Sequence, residues 1–175
     1  MSDFEPPPFT AALDARVPAE NIILSHYMAS LNQWVCASES SDGRVFIGRA
    51  KTEPLARRAA GLRTFSHLED RVAGKTGEAD PAQIDAARNE LDQQLAELEK
   101  LVARYNGSFP LKIPQEAVVF QVRSAREVLK SDADRPLLAR WIIPSLIFIA
   151  GAFAEGAIGA FAEQAIDALT EFLKT

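Results

Sequence analysis

Hydrophobic positions change period several times along the chain, and each change marks an element. Over residues 19–33, Leu24, Met28 and Leu31 share a helical face with Ile23 and Tyr27 beside them. That predicts a helix, although Asn21-Ile-Ile-Leu also suits a strand. Residues 33–40 and 44–50 are rich in β-formers, and Asp42-Gly43 between them is a type I′ turn signal. A two-residue loop there sets Trp34, Cys36, Val45 and Ile47 on one face. Thr52, followed by Glu53 and Pro54, reads as a helix N-cap. Leu55, Ala59, Leu62 and Phe65 then recur at helical spacing, with Arg57, Arg58, Arg63 and Arg71 around them.

Residues 73–80 form a loop. Asp80, Pro81 and Gln83 combine an N-cap, an N1 proline and a capping-box glutamine. From there Ile84, Ala87, Leu91, Leu95, Leu98, Val102 and Tyr105 make one apolar stripe, predicting a long amphipathic helix over about 81–106. Pro114 opens residues 115–131, where Val118, Val122, Ala125 and Leu129 suit a helix while Val118-Val-Phe-Gln-Val also alternates like a strand. Asp134 caps a short helix that runs from Arg135 to Pro144. A very apolar helix then runs over about 144–173.

The predicted fold is α-rich α+β, a β-hairpin plus four or five helices. Its parts are an extended proline-rich arm (1–18), a small α+β domain (19–134) and an apolar helical region (135–175).

From Trp141 to Ala154 fourteen residues carry no charge, and the apolar character continues past Glu155 to Ala162. Two environments suit such a stretch. It is a core helix, because a helix apolar all round is buried, or it enters a bilayer, whose core needs about 20 residues to cross. Trp141 after Arg140 has the form of an interfacial anchor. Ala152, Gly156 and Ala160 form a small-residue ridge, and Phe148, Phe153, Gly159 and Phe161 share the candidate partner or membrane surface. Glu155 opposes insertion at a cost of about 2–3 kcal/mol. Glu155, Glu163, Asp167 and Glu171 otherwise form an acidic stripe with Gly159 in its gap.

Charge changes the picture in one respect. The net charge of −5 excludes a uniformly basic nucleic-acid binder. Within it, residues 44–75 carry +5 between blocks of −5 (1–43) and −4 (76–107), followed by +2 (108–140) and −3 (141–175). Pairing between blocks accounts for this, or else an electropositive face meets an anion.

Candidate chemistry is sparse. One cysteine and two histidines make neither a disulfide framework nor a usual zinc site. Gly74-Lys75-Thr76 ends like a phosphate loop, but Glu69 stands where its first glycine belongs. Ser25-His26 and Ser66-His67 are adjacent without a nucleophile elbow, and both histidines read as ordinary helix-face residues. Cys36 reads as a small buried apolar residue. No catalytic, cofactor or metal position is expected.

Residues 48–60, Gly-Arg-Ala-Lys-Thr-Glu-Pro-Leu-Ala-Arg-Arg-Ala-Ala, resemble the strand-to-helix junction of double-stranded RNA-binding domains. The resemblance implies phosphate contacts by the helix N-terminus and a lysine pair. Glu53 and Pro54 occupy the places of that pair, so no binding residue carries over. Independently, Arg49, Lys51, Arg57 and Arg58 form a candidate anion-binding cluster.

The functional expectation is therefore non-enzymatic protein–protein interaction. The chain reads as an adaptor or self-assembling regulatory protein whose C-terminal helix supplies the core or the association surface, with a protein or a second copy as partner. The alternative is a membrane-active or membrane-anchored protein. The third reading is nucleic-acid binding through 44–75, a local basic patch that the net charge leaves open; nucleic acid is the partner least expected. With neither a basic start nor an apolar run before Pro6, no secretory signal is read, and the expected location is cytoplasmic or at a membrane.

Overall fold

The computed structural model describes residues 21–77, 80–109 and 112–175. The proline-rich arm, 1–18, lies outside the described residues. Among the described residues, strands β1 (Ile22–Met28), β2 (Gln33–Glu39) and β3 (Val45–Ala50) form an antiparallel sheet in the order β1-β2-β3. Helices α1 (Glu53–Val72), α2 (Pro81–Ala103), α3 (Gln115–Lys130), α4 (Arg135–Ala152) and α5 (Ala157–Lys174) follow. The class is helix-rich α+β, as the pattern predicts.

The helix expected over 19–33 is instead β1 and a 3-10 turn, Ala29–Leu31. Asn32 turns the chain in the left-handed region, φ 49°, and brings Tyr27 opposite Trp34, their rings 5.7 Å apart. With a strand partner so close, ladder bonds to β2 outweigh a short helical stripe. His26 accordingly lies on a strand rather than a helix.

The hairpin corrects the expected faces. Ala37 pairs with Ile47 and Glu39 with Val45. Ser40 N–H donates to the Arg44 carbonyl (2.8 Å), Gly43 N–H donates to the Ser40 carbonyl (3.0 Å), and Gly43 has φ +77°. This is a three-residue loop with a glycine bulge, not a two-residue turn. The extra residue slips the register by one, so Val45 and Ile47 face away from Trp34 and Cys36.

Each face of the sheet is covered. Ala56 and Ala60 of α1 pack on Cys36, with Ile22, Trp34 and Ala50 around them. Gly48 sets the distance: a Cβ there would lie 2.2 Å from Ala60 N and 2.3 Å from Ala56 O, so the helix rests on bare strand backbone. On the other face Met28, Val35, Ala37, Val45 and Ile47 join the main core with α2–α5. In that layer α2 touches α3 and α5, and α4 touches α3 and α5, closing a four-helix bundle.

Local signals explain the helix ends. Thr52 sits at the α1 cap without a side-chain capping bond, whereas Asp80 accepts from Ala82 N and Asp134 from Leu137 N. The long helix stops at Ala103, and 115–130 is helical rather than extended.

The continuous apolar helix over 144–173 is not formed. The most apolar helix is α4, which starts at Arg135, passes through Pro144 and ends at Ala152. The chain turns at Phe153, and Gly156 adopts extended backbone as the α5 N-cap. Up to Ala152 the residues are apolar on nearly every side, and beyond Ala157 they are amphipathic. Doubling back lets α5 bury its one apolar side against α4 and α2. Gly159 permits the turn, since a Cβ there would lie 2.2 Å from the Phe153 carbonyl oxygen.

Candidate functional site

α4 carries apolar residues all round, yet the fold covers one side. Leu138, Ile142, Leu146 and Ile149 are buried in the core. One turn apart on the outer side, Leu137 is 42% and Trp141 61% exposed, and Phe148 is half-buried two turns on. By length and composition α4 would reach across a bilayer, and half of it is buried inside the fold. Leu137 and the 68% exposed Phe120 of α3 add exposed apolar surface without being among the sequence candidates. Leu137 was recoverable as the residue four before Trp141; nothing in the pattern marks Phe120.

The remaining candidates sit around the α4–α5 turn. Phe153 is buried, edge-on to Tyr105 and Phe109 at 5.4 Å each. Ala152 and Phe161 are half-buried, Gly159 is buried, and Glu155, Gly156 and Ala160 are exposed. Ala152 ends α4, Gly156 caps α5 and Ala160 lies one turn into α5. The three therefore share no single helical face, and the ridge expected of them is not assembled.

The charge blocks pair with one another. Arg49 holds Asp167 of α5 at 2.7 Å. Arg126 of α3 reaches Asp92 and Glu99 of α2 at 2.9 and 3.0 Å, and Arg123 joins Glu99 at 2.8 Å. Within its own block Arg57 holds Glu53 at 2.6 Å. Lys51 is exposed and Arg58 half-buried. Two members of the expected anion-binding cluster, Arg49 and Arg57, thus already hold carboxylates.

Histidine and cysteine are placed structurally. His67 is buried on α1, its ring 5.0 Å from Phe46, with Nε2 2.9 Å from Asp42 Oδ2. Ser40 Oγ donates to the other carboxylate oxygen, and Arg71 lies 3.3 Å away. Asp42, not the imidazole, is the centre of this group, so the serine faces a carboxylate instead of a ring nitrogen. Burial pushes the Asp42 carboxyl up, but the Ser40 and His67 hydrogen bonds and the Arg44 amide outweigh it and hold the group well below the carboxylate range. Cys36 is buried beside Ser25 Oγ (3.3 Å), and burial pushes its thiol up, away from the reactive thiolate. Ser25 in turn donates to Glu53 at 2.7 Å and, with Arg57, holds that carboxyl down.

Beside the open edge of β3 runs a groove of 990 Å³, bounded by α1, α2 and α5. Val45, Ile47 and Arg49 alternate with the residues bonded to β2, so their backbone groups point to that edge. Arg63 donates to the Ile47 carbonyl. No group of three His, Cys, Asp or Glu side chains among the described residues is placed to hold a metal ion.

No protein-family model, curated protein or solved structure matches this chain.

Proposed function

We propose that the protein acts through protein–protein contact, as a self-associating protein whose copies meet on the outer face of α4. The observation that carries this reading is Trp141, 61% exposed on a helix whose other side is core. Exposed aromatic side chains on a rigid helix are the residues that most often dominate interface energy. Leu137 one turn before it and Phe148 two turns after it extend the apolar stripe. A second copy of the same stripe suits it, because a two-fold helix pair buries identical surfaces against each other.

Light scattering of the full chain over a concentration series tests the reading. The expected result is a dimer or larger species that becomes monomeric in the Leu137→Glu/Trp141→Glu variant, with circular dichroism unchanged. A wild-type chain that stays monomeric at high concentration rejects it.

A second reading places the stripe on a membrane surface, supported by the length and apolarity of α4 and by Arg140 next to Trp141. Lying on the surface leaves the core intact. Crossing would withdraw Ile142, Leu146 and Ile149 from it. Flotation of the wild type with anionic vesicles, lost in the same variant, would favour this reading. Nucleic-acid binding through 44–75 has the least support, given the carboxylates that Arg49 and Arg57 hold.

A further inference from the structure

We infer that a pocket between the β2–β3 turn and the start of α4 binds the phosphate group of a small phosphomonoester. The pocket measures about 490 Å³ and is lined by Asp42, Arg44, Arg71, Thr76, Gly77 and Arg135 over the side chain of Ile84. Three guanidinium groups thus face it against one carboxylate among the described residues. That carboxylate is already shared, 2.9 Å from His67, 3.3 Å from Arg71 and 3.7 Å from Arg44.

Arg135 is left over. It makes no ion pair among the described residues, and its Nε is shut off from solvent without a hydrogen-bond partner. Thr76 Oγ1 is in the same condition, as is Nε of Arg88, one turn beyond Ile84 on α2. Burial and the nearby positive charge of Arg44 act against the Arg135 cation; Asp42 offsets them in part, and Arg88 adds to them. A buried donor without an acceptor, beside more positive charge than negative, is unfavourable unless an anion completes the group.

Phosphate fits what is missing. It brings two negative charges where the described lining residues have an excess of two positive ones. It also has enough acceptor oxygens for guanidinium forks from several directions and for the Thr76 hydroxyl. The volume lies in the range of small-molecule sites and exceeds what inorganic phosphate needs, which leaves room for an organic group. Thr76 also lines the larger groove along β3, giving that group a path outward.

None of the four cluster residues anticipated from sequence is involved, and the inference stands apart from the α4 surface. The test is thermal unfolding of the full chain in inorganic phosphate, against chloride and acetate at matched ionic strength, with Arg135→Gln beside the wild type. The expected result is a saturable rise in Tm with phosphate alone, its apparent affinity weakened at least tenfold in Arg135→Gln. In chloride the variant should melt close to the wild type, since Arg135 has no ion pair or hydrogen bond to lose among the described residues. The same role predicts broadening of the phosphate 31P resonance by the wild type and not by Arg135→Gln or Arg71→Gln. An equal rise in chloride, an equal rise in acetate, or a phosphate response undiminished in both variants would overturn the proposal.

Discussion

His67 on α1 holds Asp42 in the β2–β3 turn, Nε2 to Oδ2 at 2.9 Å, fastening the loop to the helix that covers the sheet. Because the folded state depresses the Asp42 carboxyl, the unfolded chain binds more protons at acid pH, and stability falls as pH falls. The contribution is complete above the ordinary value of 3.8 and is lost progressively below it. Asp42→Asn should cost about 1–3 kcal/mol at pH 7. Urea midpoints of the two proteins should converge as the pH is lowered below 4; a gap that stays constant would contradict this.

Gly48→Ala should be strongly destabilising, by about 3 kcal/mol or more, because the added carbon meets helix backbone that no rotamer change can move. Gly77→Ala, with open space around its Cβ position, is the matched control. Denaturant titration of both separates the packing effect from any general effect of losing glycine.

Trp141 and Ile142 are sequence neighbours on α4, the first exposed and the second buried. Trp141→Ser should change monomer stability by no more than about 0.5 kcal/mol. Ile142→Ala, emptying a fully buried site, should cost about 2–5 kcal/mol. Comparable losses in the two would mean that the outer face of α4 is packed against something within the chain.

Arg126 ties α3 to α2 through Asp92 and Glu99 in a half-buried network. Its hydrogen bonds hold Asp92 down. At Glu99, burial pushes the carboxyl up and the arginine bonds outweigh it. Arg126→Leu strips Asp92 of its arginine and leaves Glu99 with Arg123 alone, and should cost about 1–3 kcal/mol at pH 7. The penalty should shrink as the pH falls below the ordinary carboxylate range, where Asp92 without its arginine takes up a proton before the paired one does; chemical denaturation at pH 7 and at acid pH measures it.

The elements legible in the sequence are those whose signals are local. Asp80-Pro81 and seven apolar positions at helical spacing announce α2, and Pro114 announces α3. Where a partner segment decides, the pattern is ambiguous. Leu24, Met28 and Leu31 fit a helical face until β2 is known to lie alongside. Asp42-Gly43 serves a two-residue turn or, with glycine as the bulge, a three-residue loop, and the two exchange the faces of the sheet. The run through Gly156 shows no polar break strong enough to mark the end of α4. At the candidate surface, Trp141 and Phe148 follow from apolarity alone, but the uncovered side of the helix depends on packing. Arg44, Arg71 and Arg135 meet only through the tertiary fold, so no spacing could reveal them.

The closure of α5 on α2 also sets a schedule for synthesis. Leu91, Leu95, Leu98 and Val102 leave the ribosome well before α5, the helix that covers them. At about 5–20 residues per second the nascent chain carries this uncovered stripe for several seconds. During that interval α3 is the packing neighbour already made. Chaperone capture and aggregation compete with folding there, and translation stalled before Ala157 would lengthen the exposure.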